Sequence, residues 1–160
     1  MKIHHLYFAQ TLALNPEQAW AFFSSPYHLN DITPAFFHVE ITSPVPDDIY
    51  AGLMISYRMK AVAGWPMAWL SEVCHCQRPQ RFVYQQRVGP FNFWSHEVCI
   101  TPCAEGIKLE DIVYYAMPWG WLGDWLDRLL IGPKLQQIFI TRRDYLAQHW
   151  GVSAEGNHLP

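Results

Sequence analysis

Apolar residues alternate with polar ones along most of this chain, and they take helical spacing only after the first strand and again near the C-terminus. Ile3 to Leu14 reads as a strand of aromatic and aliphatic residues, ended by Asn15-Pro16-Glu17-Gln18. That tetrapeptide is a helix start. Asn15 is the N-cap, Pro16 sits where no amide hydrogen is needed, and Gln18 can reach back to the cap. A helix of about ten residues follows, apolar at Ala19, Trp20, Phe22 and Phe23. Pro26 ends it, and Tyr27 to Thr33 predicts a second short helix stopped by Pro34. Six strands are then expected near residues 35–43, 53–62, 67–77, 81–88, 92–102 and 107–117, separated by proline, glycine and short polar breaks. Short loops between consecutive strands imply an antiparallel meander.

After Pro118 the spacing becomes helical again. Leu122, Trp125, Leu126, Leu129 and Leu130 form one stripe, and Gly132-Pro133 is expected to break the helix and restart it. Leu135, Ile138, Phe139, Arg142, Tyr145, Leu146 and His149 then share a face over about four turns. A strongly curved sheet with one apolar face needs a single long element laid across it. The predicted class is therefore α+β: a seven-stranded curved antiparallel sheet around a long C-terminal helix, with two short helices after the first strand. Side chains cannot fill the whole space under such a helix, so a cavity is expected. Residues 1–150 form one domain on this reading, and 151–160 a loose tail.

Composition narrows the function. Of 160 residues 16% are aromatic, with 8 Trp, which implies that something large and apolar is lined or filled. The net charge of −3, from 11 basic and 14 acidic residues, argues against nucleic-acid binding. No stretch approaches the ~20 apolar residues of a membrane span, and Met1 to Gln10 lacks the apolar core of a secretory signal, so a cytoplasmic protein is expected. Cys74, Cys76, Cys99 and Cys103 form neither a Cys-x-x-Cys pair nor a spaced framework, which suits free thiols.

Several motifs resemble the START-like, or SRPBCC, superfamily of helix-grip domains, and within it small bacterial proteins of ligand-binding or cyclase/dehydrase-like type. The most specific run is Phe82-x-Tyr84-x-Gln86-x-x-Gly89-Pro90-Phe91-x-x-Trp94-x-His96. Asp111-x-Val113-x-Tyr115-x-x-Pro118, Ile138-Phe139 with Arg142-Arg143, and Pro66-x-x-Trp69-x-Ser71 continue the likeness. One departure is Val98, where that group often has a second histidine. The resemblance implies lipids, polyketides, hormones or sterols as ligands. Only some members are enzymes, so fold alone licenses no reaction.

If Ala104-Glu105 is a two-residue hairpin loop, Trp94 lies opposite Tyr115, His96 opposite Val113 and Val98 opposite Asp111. His96 and Asp111 then become diagonal neighbours in an apolar field, within reach of a direct or water-bridged hydrogen bond. Three roles are open: a polar ligand anchor, a structural pair fixing strand register, or an acid/base pair. A three-residue loop or bulge at Gly89-Pro90 turns Phe82, Tyr84 and Gln86 inward, which matches the aromatic lining better than a two-residue turn. Candidate ligand contacts are Tyr57, Trp69, Tyr84, Gln86, Trp94, His96, Asp111, Tyr115 and Phe139, with His96 and Asp111 the catalytic candidates. A zinc site built on Cys74, His75, Cys76, His96 and Cys99 is not expected, because strands two spacings apart stand about 9.5 Å apart.

The predicted function is binding of a small hydrophobic ligand in the cavity, without metal or cofactor. The alternatives are a cyclase or dehydratase using His96 and Asp111, and a peripheral lipid-transfer protein making transient membrane contact. Ala63-Gly64-Trp65-Pro66 and Met117-Pro118-Trp119-Gly120-Trp121-Leu122-Gly123 read as the rim of the cavity. Their tryptophans either face solvent, as a patch that could touch membranes or a partner, or fold inward and cap the core; the inward reading is favoured, since few basic residues flank them.

Overall fold

Asn15 closes the capping box that the sequence predicts. Its side chain accepts from the Gln18 amide at 2.9 Å, and the Gln18 side chain accepts from the Asn15 amide at 3.0 Å. The helix so started, α1 (Pro16–Phe23), follows strand β1 (His4–Leu12) and buries Ala19, Trp20 and Phe23. The computed structural model describes residues 2–60 and 64–151. The end of the strand predicted at 53–62, Ala63 of the first rim segment and the predicted tail from 152 onward lie outside the described residues.

Beyond α1 the chain makes two 3₁₀ turns, Pro26–Asn30 and Ala35–Phe37, before strand β2 (Glu40–Ile41). The strand predicted at 35–43 is thus reduced to two residues at the sheet edge. Asn30 explains the loss. Its side chain donates to the Val39 carbonyl at 2.6 Å and accepts from the Val39 amide at 3.0 Å, taking both groups a ladder would use. His38 at φ 42 completes the departure from extended backbone.

Strands β3 (Met54–Lys60), β4 (Pro66–Gln77), β5 (Arg81–Val88), β6 (Phe93–Cys103) and β7 (Gly106–Ala116) complete an antiparallel sheet in the order β1-β7-β6-β5-β4-β3-β2. Register shifts at Leu70/Ser71 and Val73/His75 mark irregularities of the kind that bend a sheet. The inward face alternates along each strand: His4, Leu6, Phe8, Gln10 and Leu12 on β1, with Tyr115, Val113, Asp111, Leu109 and Ile107 opposite them in turn on β7. Cys103 faces Gly106 across a two-residue Ala104-Glu105 turn, the pairing expected from sequence. A Cβ at Gly106, where φ is +139, would stand 2.2 Å from the Leu12 carbonyl oxygen. Gly106→Ala is therefore expected to lower stability by about 1–3 kcal/mol, measured by urea unfolding.

The C-terminal helix does not break at Gly132-Pro133. It runs from α2 (Trp121–Leu126) through a π-helical turn, Asp127–Ile131, into α3 (Gly132–Trp150). Proline lacks the amide a helix interior needs and its ring crowds the carbonyl four residues back; a widened turn just before Pro133 accommodates both. α3 lays Leu135, Phe139, Arg142 and Leu146 on the sheet. Two apolar clusters result. The larger contains Trp20, Phe82, Val98, Ile100 and Leu146, and the smaller Leu6, Val113, Tyr115, Leu135 and Phe139.

Candidate functional site

The β6–β7 register places His96 opposite Val113 and Asp111 opposite Val98, so the imidazole and carboxyl meet on the diagonal. They bond directly: His96 Nε2 lies 2.8 Å from Asp111 Oδ1. From the helix side, Arg142 Nε stands 3.1 Å from Asp111 Oδ2, a close charge contact without hydrogen-bond alignment. The guanidinium also lies 5.1 Å from the centre of the Phe23 ring. Burial pushes the Asp111 carboxyl up, but Arg142 and the His96 hydrogen bond outweigh it and hold the group below its ordinary range. Asp111 is therefore an anion inside the protein, and it fixes which nitrogen of His96 carries a proton. A carboxylate only accepts, so Nε2 donates. His96 Nδ1 has no hydrogen-bond partner among the described residues.

Aromatic side chains surround this triad. The His96 ring meets Phe139 edge-on at 5.6 Å, and Phe139 stacks on Phe8 at 4.7 Å. Trp94 packs against Phe91, Trp69 and Tyr115. Trp69 donates its indole N–H to Ser71 at 2.9 Å and stands across from Tyr57 on β3. Tyr57 is buried, which pushes its phenol up. On β5, Tyr84 pairs with His96 and turns inward with Phe82, in the register chosen from sequence. Its hydroxyl reaches the Ser24 carbonyl at 3.4 Å, and burial raises its pKa.

Two candidates are engaged elsewhere. Gln86 donates to the Phe91 carbonyl at 2.7 Å and accepts from the Phe91 amide at 3.3 Å, so its amide braces the β5–β6 loop. Tyr115 donates to Asp127 Oδ1 at 2.9 Å and stacks on His4 at 5.0 Å, with burial, then Asp127, raising its pKa. His4 in turn touches two carboxylates, Asp124 Oδ1 at 3.2 Å and Asp127 Oδ2 at 3.0 Å. The face thus carries two polar clusters: His96–Asp111–Arg142 midway, and His4–Asp124–Asp127–Tyr115 where α2 meets β1. The sequence reading missed the second cluster and Arg142's part in the first. The cysteines do not converge: Cys74 and Cys76 donate to the carbonyls of Glu72 and Ile49, and Cys99 to the Glu97 carboxylate.

The rim tryptophans face outward, contrary to expectation. Trp65 is 75% exposed, Trp119 71% and Trp121 81%, and the stripe of Leu122, Trp125, Leu129 and Leu130 points to solvent as well. The cause is the opposite face of α2. Gly123 packs so closely that a Cβ would lie 1.9 Å from the Pro118 carbonyl oxygen, and Asp124 and Asp127 are held by His4 and Tyr115. Binding the carboxylates inward turns the tryptophans out.

No family model matches the chain, and no curated protein matches it. Solved structures do. A Chromobacterium violaceum protein, 14% identical, superimposes with a TM-score of 0.68 over 93% of this chain and 99% of that one. Ginseng major latex-like protein 151 from Panax ginseng, 12% identical, gives 0.65 over 92% and 97%. A Thermus thermophilus protein, 16% identical, gives 0.64 over 92% and 98%. At these identities the likeness speaks for architecture alone, and together with the seven-stranded curved sheet and its C-terminal helix it establishes a helix-grip fold.

Proposed function

We propose that this chain binds a small hydrophobic molecule between the curved sheet and α3, and that His96 anchors it by accepting a hydrogen bond at Nδ1. The observation that carries the reading is the 2.8 Å contact of His96 Nε2 with Asp111: with Nε2 donating to the carboxylate, Nδ1 is the ring nitrogen left to face a ligand. Trp69, Tyr84, Trp94 and His96 lie on the inward face yet keep accessible surface, which supports space beside them. The likeness to the START-like superfamily, with its lipid and polyketide binders, points the same way. The ligand class is an apolar body with one hydroxyl or similar donor.

A matched pair of probes tests this. Dodecanol is expected to bind more tightly than dodecane in a Nile red displacement assay, and His96→Ala to erase roughly fivefold of that preference while leaving dodecane unchanged. If neither probe displaces the dye, or the preference survives in His96→Ala, the reading fails. A cyclase or dehydratase would use the same nitrogen as its acid/base group. Of its two candidate oxyanion donors, the Tyr115 hydroxyl is committed to Asp127 at 2.9 Å, whereas Tyr84 makes only a long 3.4 Å contact with the Ser24 carbonyl and is the one that could turn to a ligand.

A further inference from the structure

The helical segment after β7 is built inside out. Trp121, Leu122, Trp125 and Leu129 follow i, i+1, i+4, i+8 spacing and so share one stripe, all exposed, while Gly123 and Asp127 are the buried positions. Trp119 extends this ridge at its start and Leu130 beside its end. A contiguous apolar surface of this kind marks an interaction site. Tryptophan is the residue that prefers the boundary between water and hydrocarbon.

Charge identifies the partner. An open pocket of about 380 Å³ lies between the start of β1 and the π-helical turn, bordered by Lys2, His5, Tyr115, Arg128 and Gln136. Asp127 also borders it, but its two oxygens are taken by Tyr115 and His4. Asp124, the other acid of the segment, is likewise bonded to His4. Arg128 follows Trp121 by seven residues and Trp125 by three, so it lies along the ridge, and Lys2 borders the same pocket as Arg128, while Asp124 and Asp127 are paired within the protein. A second copy of this chain is a poor fit: in a twofold contact each patch meets itself, and Arg128 and Lys2 would face their own duplicates.

We propose that the α2 ridge docks on an anionic lipid surface, with Trp121, Trp125 and Leu129 entering the interface and the Lys2–Arg128 pocket receiving a lipid headgroup phosphate. Docking of this kind goes beyond ligand binding in the interior and does not depend on it. Flotation of the full chain with phosphatidylcholine vesicles, with and without phosphatidylglycerol, tests it. The wild-type protein is expected to float with the phosphatidylglycerol vesicles. Trp121→Ala/Trp125→Ala is expected to reduce bound protein roughly tenfold or more. Arg128→Glu is expected to reduce it roughly fivefold on anionic vesicles and to change nothing on neutral ones. These side chains are exposed, so unchanged thermal melts confirm that the variants fold. Failure of the wild type to float, or equal flotation of the tryptophan variant, overturns the proposal. So does a wild-type dimer in sedimentation analysis that the tryptophan substitutions dissociate.

Discussion

Asp111→Ala is expected to destabilise the protein by about 3–5 kcal/mol, because it leaves the Arg142 guanidinium buried without its counter-ion. Arg142 has no other carboxylate within ion-pair distance among the described residues, only the Phe23 ring and Asp111. Replacing both charges, as in Asp111→Asn with Arg142→Met, is expected to recover much of the loss, since the stranded charge goes with its partner. The pH dependence follows from the same contacts. Burial alone would raise the Asp111 pKa, but Arg142 and His96 outweigh it, so the folded value lies below the unfolded value of ~3.9. Stability from this group is complete above the unfolded pKa and is lost as pH falls through the folded one. The advantage of the wild type over Asp111→Asn in urea unfolding is therefore expected to shrink between neutral pH and about pH 3. An advantage that stays constant over that range would mean that Asp111 is not held as an anion.

Trp20→Ala is expected to cost about 3–5 kcal/mol as well, by a different route. Trp20 is 1% exposed, projects from α1 into the larger apolar cluster and meets the Phe82 ring edge-on at 5.4 Å. Truncation leaves a void that close-packed neighbours fill only in part. Trp20→Phe gives the control. The Trp20 indole N–H is buried with no hydrogen-bond partner among the described residues, so a ring without that donor gives up volume but no hydrogen bond. Thermal unfolding is expected to rank the variants wild type, then Trp20→Phe, then Trp20→Ala, with the second step the larger. Equal losses for both would mean that the cost does not scale with the void and would overturn this account.

Where local chemistry determines structure, the chain was readable. The Asn15–Gln18 box, the two-residue turn at Ala104-Glu105 and the period-two alternation of β6 and β7 were enough to bring His96 to Asp111. Arg142 was legible only in part. It stands three residues after Phe139 on an apolar stripe, and a lone cation there signals a buried anion on the facing sheet without naming it. The His4–Asp124–Asp127 cluster gave no sign, because its members are some 120 residues apart and join only when β1 pairs with β7. Periodicity found the Trp125–Leu129 stripe but not its direction. Which face of α2 turns inward depends on His4, Tyr115 and the close approach at Gly123, all partners beyond the segment.

The pairing of β1 with β7 also bears on synthesis. His4 lies across from Tyr115 and Leu12 from Ile107, so β1 waits for β7, much later in the chain, before it has a neighbour in the sheet. Ala13, just beyond it, donates to the carbonyl of Trp150 at 3.1 Å, a contact that needs nearly the whole chain. Non-local closure of this kind slows folding and prolongs the exposure of an unpaired edge. Until β7 has been made, β1 is an aromatic strand without a partner, and shielding of residues 4–12 over that interval is expected to favour the native state.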